Sequence, residues 1–379
     1  MSWLNKLKRG LEKLGEPLHP RAERIAAPRL TATYDDDSQS KPADVKDISS
    51  SGLYLVTGKR LPTGEMITIT LQEEEAPESS SELQFSVHAR VARQGEDGMG
   101  LSFVLPPGLD TRLWSVLVRN IVVLNDRSEI ENMFYTLRTI LFTCRICGAQ
   151  AEEAVLLLGG QLDSNRTGTL VKLALGGERL LAEEPDGERM RADPKLVTNI
   201  LREGSWAPDE MTLKLWTGLL VSSCSVDSPD DSNQVFVDLL IHTTPNQAKI
   251  LVHACERALQ SAPGDENLPP GSVVLTAQEM ADLTGVHDVA RNATDVVYLF
   301  NLGFIQKVVD FTSYLPLDSF DITPSRLGLE LYKHCHGSRE KVEQQLVDDA
   351  ENNLLHFIPP PHPPVFGGES NSLLPPVEG

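Results

Sequence analysis

The sequence predicts an α+β protein in which a small antiparallel β-barrel is followed by a mainly helical domain and a small terminal α/β unit. Three observations carry this prediction. Residues 30–104 consist of short alternating apolar runs broken by turn residues, as in a small barrel or sandwich. After Pro106-Pro-Gly108 the apolar spacing lengthens toward 3.6, and later stretches keep that period. The chain has 379 residues, more than one ordinary core holds, so two or three domains are expected.

Taken in order, residues 1–19 form an arm. Trp3, Leu4, Leu7, Leu11 and Leu14 fall at helical spacing, with Lys6, Lys8, Arg9 and Lys13 on the remaining face. Such a basic amphipathic helix suits an anionic membrane surface or the acidic body of the protein itself, and docking on the protein is the preferred reading. Residues 20–105 form the barrel. Its clearest strands are Leu53-Tyr-Leu-Val-Thr, Met66-Ile-Thr-Ile-Thr-Leu, Leu83-Gln-Phe-Ser-Val-His-Ala-Arg-Val and Gly100-Leu-Ser-Phe-Val. Leu61-Pro-Thr-Gly64 reads as a turn, and the acidic run beginning at Glu73 reads as a solvated loop.

Residues 106–262 form the helical domain. A helix begins at Leu113, Trp114, Leu117 and Val118, and further helices are predicted near 128–158, 166–180, 194–204, 209–224, 233–241 and 245–260. Pro263-Gly-Asp-Glu-Asn-Leu-Pro-Pro-Gly271 is a linker. Within 272–340, Thr276-Ala-Gln-Glu279 is a capping box opening a helix that Gly285 ends. A second helix starts near Asp288, Leu302-Gly-Phe-Ile-Gln turns into a short strand, and the whole reads as a winged-helix-like unit. Its second helix carries Asp288, Arg291 and Asp295, too little positive charge for DNA readout, so protein packing is the expected use. Residues 358–379, rich in Pro, are expected to be a disordered tail.

The formal charge of −20 excludes a general nucleic-acid binder, because duplex affinity comes largely from cations neutralising phosphates. Any anionic ligand therefore needs a local basic cluster. No apolar run approaches the length of a membrane span, and no export signal is legible, so a cytoplasmic location is expected. Five Cys fit reduced thiols. Cys144 and Cys147 make one CxxC, but no second pair or His at ligand spacing completes a zinc site. His334-Cys335-His336 is short and lacks partners. No P-loop, HExxH or GxSxG occurs. The chain reads as a binding protein and not as an enzyme, with no cofactor.

The candidate site lies at the barrel mouth. Arg21, Arg24 and Arg29 cluster just before the first strand, and the turn Asp47-Ile-Ser49-Ser-Ser-Gly52 comes after the next. Arg presents a planar fork that pairs with phosphate or guanine O6/N7, and it stacks on a base. Asp accepts from guanine N1 and N2, Ser adds a small hydroxyl, and Gly lets a backbone approach. Together these residues resemble a PilZ domain, whose members bind cyclic di-GMP through an RxxxR segment and a DxSxxG motif. The second motif is intact as Asp47, Ser49 and Gly52. Leu53-Tyr-Leu and Gly95-Glu-Asp-Gly-Met-Gly-Leu-Ser-Phe-Val are similar to the family's strands. The first motif departs, since Arg24 and Arg29 stand five apart and Ile25 occupies the position four before Arg29.

The resemblance implies a cyclic di-GMP receptor that relays occupancy through its helical domain to an unidentified protein partner. In it Arg24 and Arg29 clamp phosphate and guanine, Asp47 and Ser49 hold the base edge, Gly52 permits approach, and Arg21 is a spare donor. The alternative is a degenerate scaffold in which Asp47 and Ser49 only stabilise a turn. Farther on, Lys214-Leu-Trp-Thr-Gly-Leu-Leu, Val235-Phe-Val-Asp-Leu-Leu, Pro245-Asn-Gln-Ala-Lys-Ile-Leu and Ile322-Thr-Pro-Ser-Arg-Leu-Gly-Leu-Glu-Leu resemble an abortive-infection alpha-type domain. That likeness implies a helical interaction module.

Overall fold

The fold is drawn from a computed structural model that describes residues 23–34, 42–73, 83–157, 164–227, 231–260, 272–306 and 319–336. The basic arm, Arg21, the acidic loop after Glu73, the linker and the Pro-rich tail lie outside the described residues. Everything described falls in one unit, Met1–Ser338.

Alternation makes the strands. In β5 (Met66–Glu73) and β6 (Gln84–Gln94) successive residues switch between solvent and core, the period that half-buries a pleated surface. With β2 (Leu30–Tyr34), β3 (Ala43–Ser49), β4 (Gly52–Val56) and β7 (Gly98–Val104), the antiparallel order is β3-β2-β5-β6-β7-β4, and β4 pairs back onto β3. Six strands therefore close into a barrel. Its interior is filled by Leu53, Leu55, Ile69, Leu71, Met99 and Leu101, all essentially inaccessible. A two-residue β1 (Ile25–Ala26) adds to β3 in the register Ile25↔Ile48 and Ala26↔Asp47.

The rest is mainly helical, with eleven α-helices among the described residues. After the barrel come α1 (Thr111–Val123), α2 (Arg127–Cys147), α3 (Glu152–Leu156), α4 (Ser164–Glu183), α5 (Pro194–Gly204), α6 (Glu210–Ser222), α7 (Gln234–Ile241) and α8 (Pro245–Gln260). Aspartates cap several of them by accepting the free amides of the first turn: Asp110 for α1, Asp126 for α2, Asp193 for α5 and Asp209 for α6. The helix expected over 128–158 is broken. Gly148 adopts a positive φ of 62° at the end of α2, a 3-10 turn follows, and α3 restarts at Glu152.

The end of the described chain comprises β8 (Val274–Thr276), α9 (Ala277–Thr284), α10 (Val289–Asn301), β9 (Ser319–Asp321) and α11 (Arg326–His336). Thr276 and Glu279 form a reciprocal capping box, and Gly285 ends α9 in a left-handed conformation. The strand expected over Leu302-Gly-Phe-Ile-Gln is reduced to one bridge, Ile305 to Pro324, and the partner of β8 is β9 instead. Gly303, with φ 80° right after α10, turns the chain before a strand can begin.

Barrel and helices share one core. Trp114 on α1 is fully buried and stands edge-on to Phe103 (centroids 5.2 Å) and Phe85 (6.4 Å), and Phe85 also meets Phe134 of α2 at 5.6 Å. Edge-to-face contacts suit the aromatic quadrupole. Here they bind the barrel to α1, and the tilted Phe85–Phe134 contact (54°) joins it to α2.

All five thiols, Cys144, Cys147, Cys224, Cys255 and Cys335, are free and buried. Burial pushes Cys144 and Cys224 up to about 12, and the other three are raised as well. Since the thiolate is the reactive form, the native protein at pH 8 should react with Ellman's reagent only as fast as it opens. Denaturant should release all five at once. Rapid modification of one thiol in the native state would show that its helix is open. Among the described residues no group of three His, Cys, Asp or Glu is placed to hold a metal ion.

Candidate functional site

The pairing of β1 with β3 sets Arg24 diagonally across from Asp47, close enough for long side chains to meet. They do meet: the Arg24 guanidinium donates to the Asp47 carboxylate, with side chains 40% and 28% exposed. A partly exposed pair of this kind contributes little to stability.

The other predicted residues are placed differently. Arg29 sits in the turn between β1 and β2, and its guanidinium reaches the C-terminal end of α1. There it donates to the carbonyls of Leu124 (2.5 Å) and Val122 (3.4 Å). These are helix-end carbonyls that lack intrahelical donors, and a cation there is favoured by the helix dipole. Arg29, expected to clamp the ligand together with Arg24, is thus engaged with the end of α1 and makes no hydrogen bond or ion pair with Asp47. The recess beside Arg29 is lined by Ala27, Leu30, Glu73, Ile121, Ile130 and Phe134 and measures about 20 Å³. That is room for a water and not for a nucleotide.

Ser49 is buried, and its hydroxyl donates to the Gly52 carbonyl at 3.1 Å while lying 3.2 Å from the Ser51 hydroxyl. It closes the β3–β4 turn. Gly52 was expected to let a ligand approach. What approaches is strand β7: a Cβ on Gly52 would lie 1.9 Å from the Leu101 carbonyl oxygen. Arg21 lies outside the described residues. Of the six predicted residues, Arg24 and Asp47 are brought together on the outer surface.

Beside them stands a group that sequence reasoning missed. A bulge between Val45 and Asp47 sets both Lys46 and Asp47 opposite Tyr54 of β4. The Tyr54 hydroxyl donates to Asp97 at 2.7 Å, and Lys46 bonds the other oxygen of that carboxylate at 2.9 Å. The Lys46 ammonium also stands 5.3 Å from the Tyr54 ring centroid, and the Arg93 guanidinium stands 5.8 Å from it, both within cation–π range. Hydrogen bonding from Tyr54, then from Lys46, holds Asp97 below the usual carboxylate range; the same bonds raise Tyr54 and Lys46. With its folded-state value depressed, Asp97 contributes above its unfolded value, and the contribution fades only as acid titrates the folded carboxylate. The cluster is thus fully formed at neutral pH.

Position 50 of the motif turn also matters. The Trp114 indole Nε1 donates to the Ser50 carbonyl at 2.9 Å, so the loop carrying Asp47 and Ser49 is bonded directly to α1.

Residues 19–119 match the family model described as PilZ domain. No curated protein matches the chain. Among solved structures, the crystal structure of the Legionella uncharacterized protein Lpg0364 is similar at 16% identity. That match covers 30% of this chain and 89% of the other, with a TM-score of 0.17. Among the described residues no helix is long and apolar enough to cross a membrane. A six-stranded closed barrel bearing the DxSxxG turn, within the matched residues, makes 19–119 of this chain a PilZ domain.

Proposed function

We propose that the protein is a PilZ-type receptor for cyclic di-GMP in which Arg24 and Asp47, and not Arg29 and Ser49, face the ligand. The observation that carries this is the Arg24–Asp47 pair on the outer barrel surface. It offers a guanidinium fork for phosphate or guanine O6/N7 beside a carboxylate that can accept from guanine N1 and N2. Neither group is tied into the core. In this reading binding breaks a weak pair and replaces it with charge-assisted bonds to the ligand.

Transmission follows from the same turn. Because Ser50 is bonded to Trp114, and Trp114 is packed between Phe85 and Phe103, movement of the turn is felt by α1. From there the helical domain passes occupancy to a protein partner. The reaction class is binding, with no catalytic step.

A second reading is favoured by Arg29 and Ser49. Both are engaged within the fold, as a scaffold that has given up its nucleotide would have them. Calorimetry of the full chain with cyclic di-GMP decides between the two. The receptor reading expects measurable heat, and a loss of affinity of about tenfold to a hundredfold in Arg24→Ala and in Asp47→Ala, the scale of one bidentate contact. Absence of heat at high micromolar ligand leaves the scaffold.

A further inference from the structure

We infer that the anion site extends from Arg24 and Asp47 across the outer face of β4 and β7 to Arg93, which supplies the second guanidinium fork that Arg29 does not. This rests on the receptor reading above.

Asp47 pairs with Tyr54, Tyr54 with Gly100, and Gly100 with Arg93, so the four residues form one row across four adjacent strands. Side chains directly opposite one another project from the same face of a sheet, here the outer one. The row is irregular at both ends. One bulge gathers Lys46 and Asp47 beside Tyr54, and a second, between Val91 and Arg93, re-aims Arg93. Bulges redirect side chains in this way next to binding sites.

The residue between Tyr54 and Arg93 is Gly100. A Cβ there would lie 2.9 Å from Arg93 Cγ and 3.1 Å from its Nε. The missing side chain lets Arg93 lie flat over β7 and bring its guanidinium to the Tyr54 ring. Arg93 has no carboxylate partner among the described residues, whereas Lys46 has Asp97 and Arg24 has Asp47. Three cations thus share two carboxylates on a protein whose formal charge is −20.

Tyr54 is a positioning residue. Its ring fixes Arg93, and its hydroxyl is fixed by Asp97, so a long and otherwise mobile side chain is held ready. A preorganised fork loses less entropy on binding. The guanidinium of Arg93 and the Arg24–Asp47 pair flank Tyr54 across about two interstrand spacings, roughly 10 Å. That separation suits two acceptor groups of one dinucleotide, a phosphate or guanine edge at each end.

The test is calorimetry of the full chain with cyclic di-GMP against Arg93→Ala, Arg93→Lys and Gly100→Ala, with thermal melts to verify folding. Arg93→Ala should weaken binding about tenfold. Arg93→Lys should fall between it and the parent, since charge is kept and the fork is lost. Gly100→Ala keeps the arginine but displaces it, and should weaken binding although Arg93 is still present. If the parent binds and Arg93→Ala binds within twofold of it, the extended site is wrong and the receptor reading stands. If the parent gives no heat, both fall.

Discussion

Replacing Trp114 with Ala is expected to lower stability by about 3–5 kcal/mol, the range for deleting a fully buried large aromatic. Trp114 is wholly inaccessible, stands edge-on to two phenylalanines of the barrel, and donates its indole N–H to Ser50. The substitution opens a cavity at the joint between barrel and α1 and leaves a backbone carbonyl of the motif turn without its donor. Trp114→Phe retains most of the volume and loses only the bond, so it should cost about 1 kcal/mol. Urea unfolding followed by far-ultraviolet circular dichroism measures both. A Trp114→Ala protein with an unchanged midpoint would mean that barrel and helices unfold independently of this contact, and the proposed route from turn to helix would lose its physical basis.

Gly52→Ala is expected to destabilise the barrel by about 3 kcal/mol or more, at the upper end of overpacking effects. The added Cβ would stand 1.9 Å from the Leu101 carbonyl oxygen and 3.0 Å from Ser102 Cα. Both are backbone atoms of β7, and no rotamer moves them aside. The strand that closes the ring would have to shift. The same circular dichroism titration reads the loss, and a variant as stable as the parent would show that β4 and β7 have slack. The result also guards the calorimetry: lost ligand heat in Gly52→Ala reports a broken barrel and says nothing about contact between Gly52 and a nucleotide.

Much of the architecture was legible because it depends on period and punctuation. Alternation in Met66-Ile-Thr-Ile-Thr-Leu marked β5, and Thr276 with Glu279 marked the start of α9. The boundaries of α5 and α8 fall where the apolar spacing placed them. Breaks were harder to see. Nothing apolar changes at Gly148, and only its positive φ ends α2. The pairing of β8 with β9 joins residues some forty-five apart and follows from tertiary closure, which local pattern does not encode.

The candidate site was legible in its residue types and less so in its directions. Asp47 and Arg24 carry chemistry that a reader can name, and they do meet. Arg29 and Ser49 carry the same kind of chemistry, but α1 and the β3–β4 turn claim them. A guanidinium looks alike in sequence whether it will face a ligand or a helix end. Lys46, Tyr54 and Arg93 went unseen because bulges bring them together, and a bulge leaves little trace in a sequence. The available signal was Gly95-Glu-Asp-Gly98, a hairpin turn whose Asp97 anchors both Tyr54 and Lys46.

The contacts of Phe85 with Trp114 and with Phe134 bear on how the barrel can be excised. A fragment that stops at residue 119, where the family match ends, is severed inside α1. It discards Leu124, which receives the Arg29 guanidinium, and Phe134, which covers Phe85. Such a fragment would present bare aromatic surface to water and invite self-association. The smallest piece that keeps its own lid runs through α2, to Cys147.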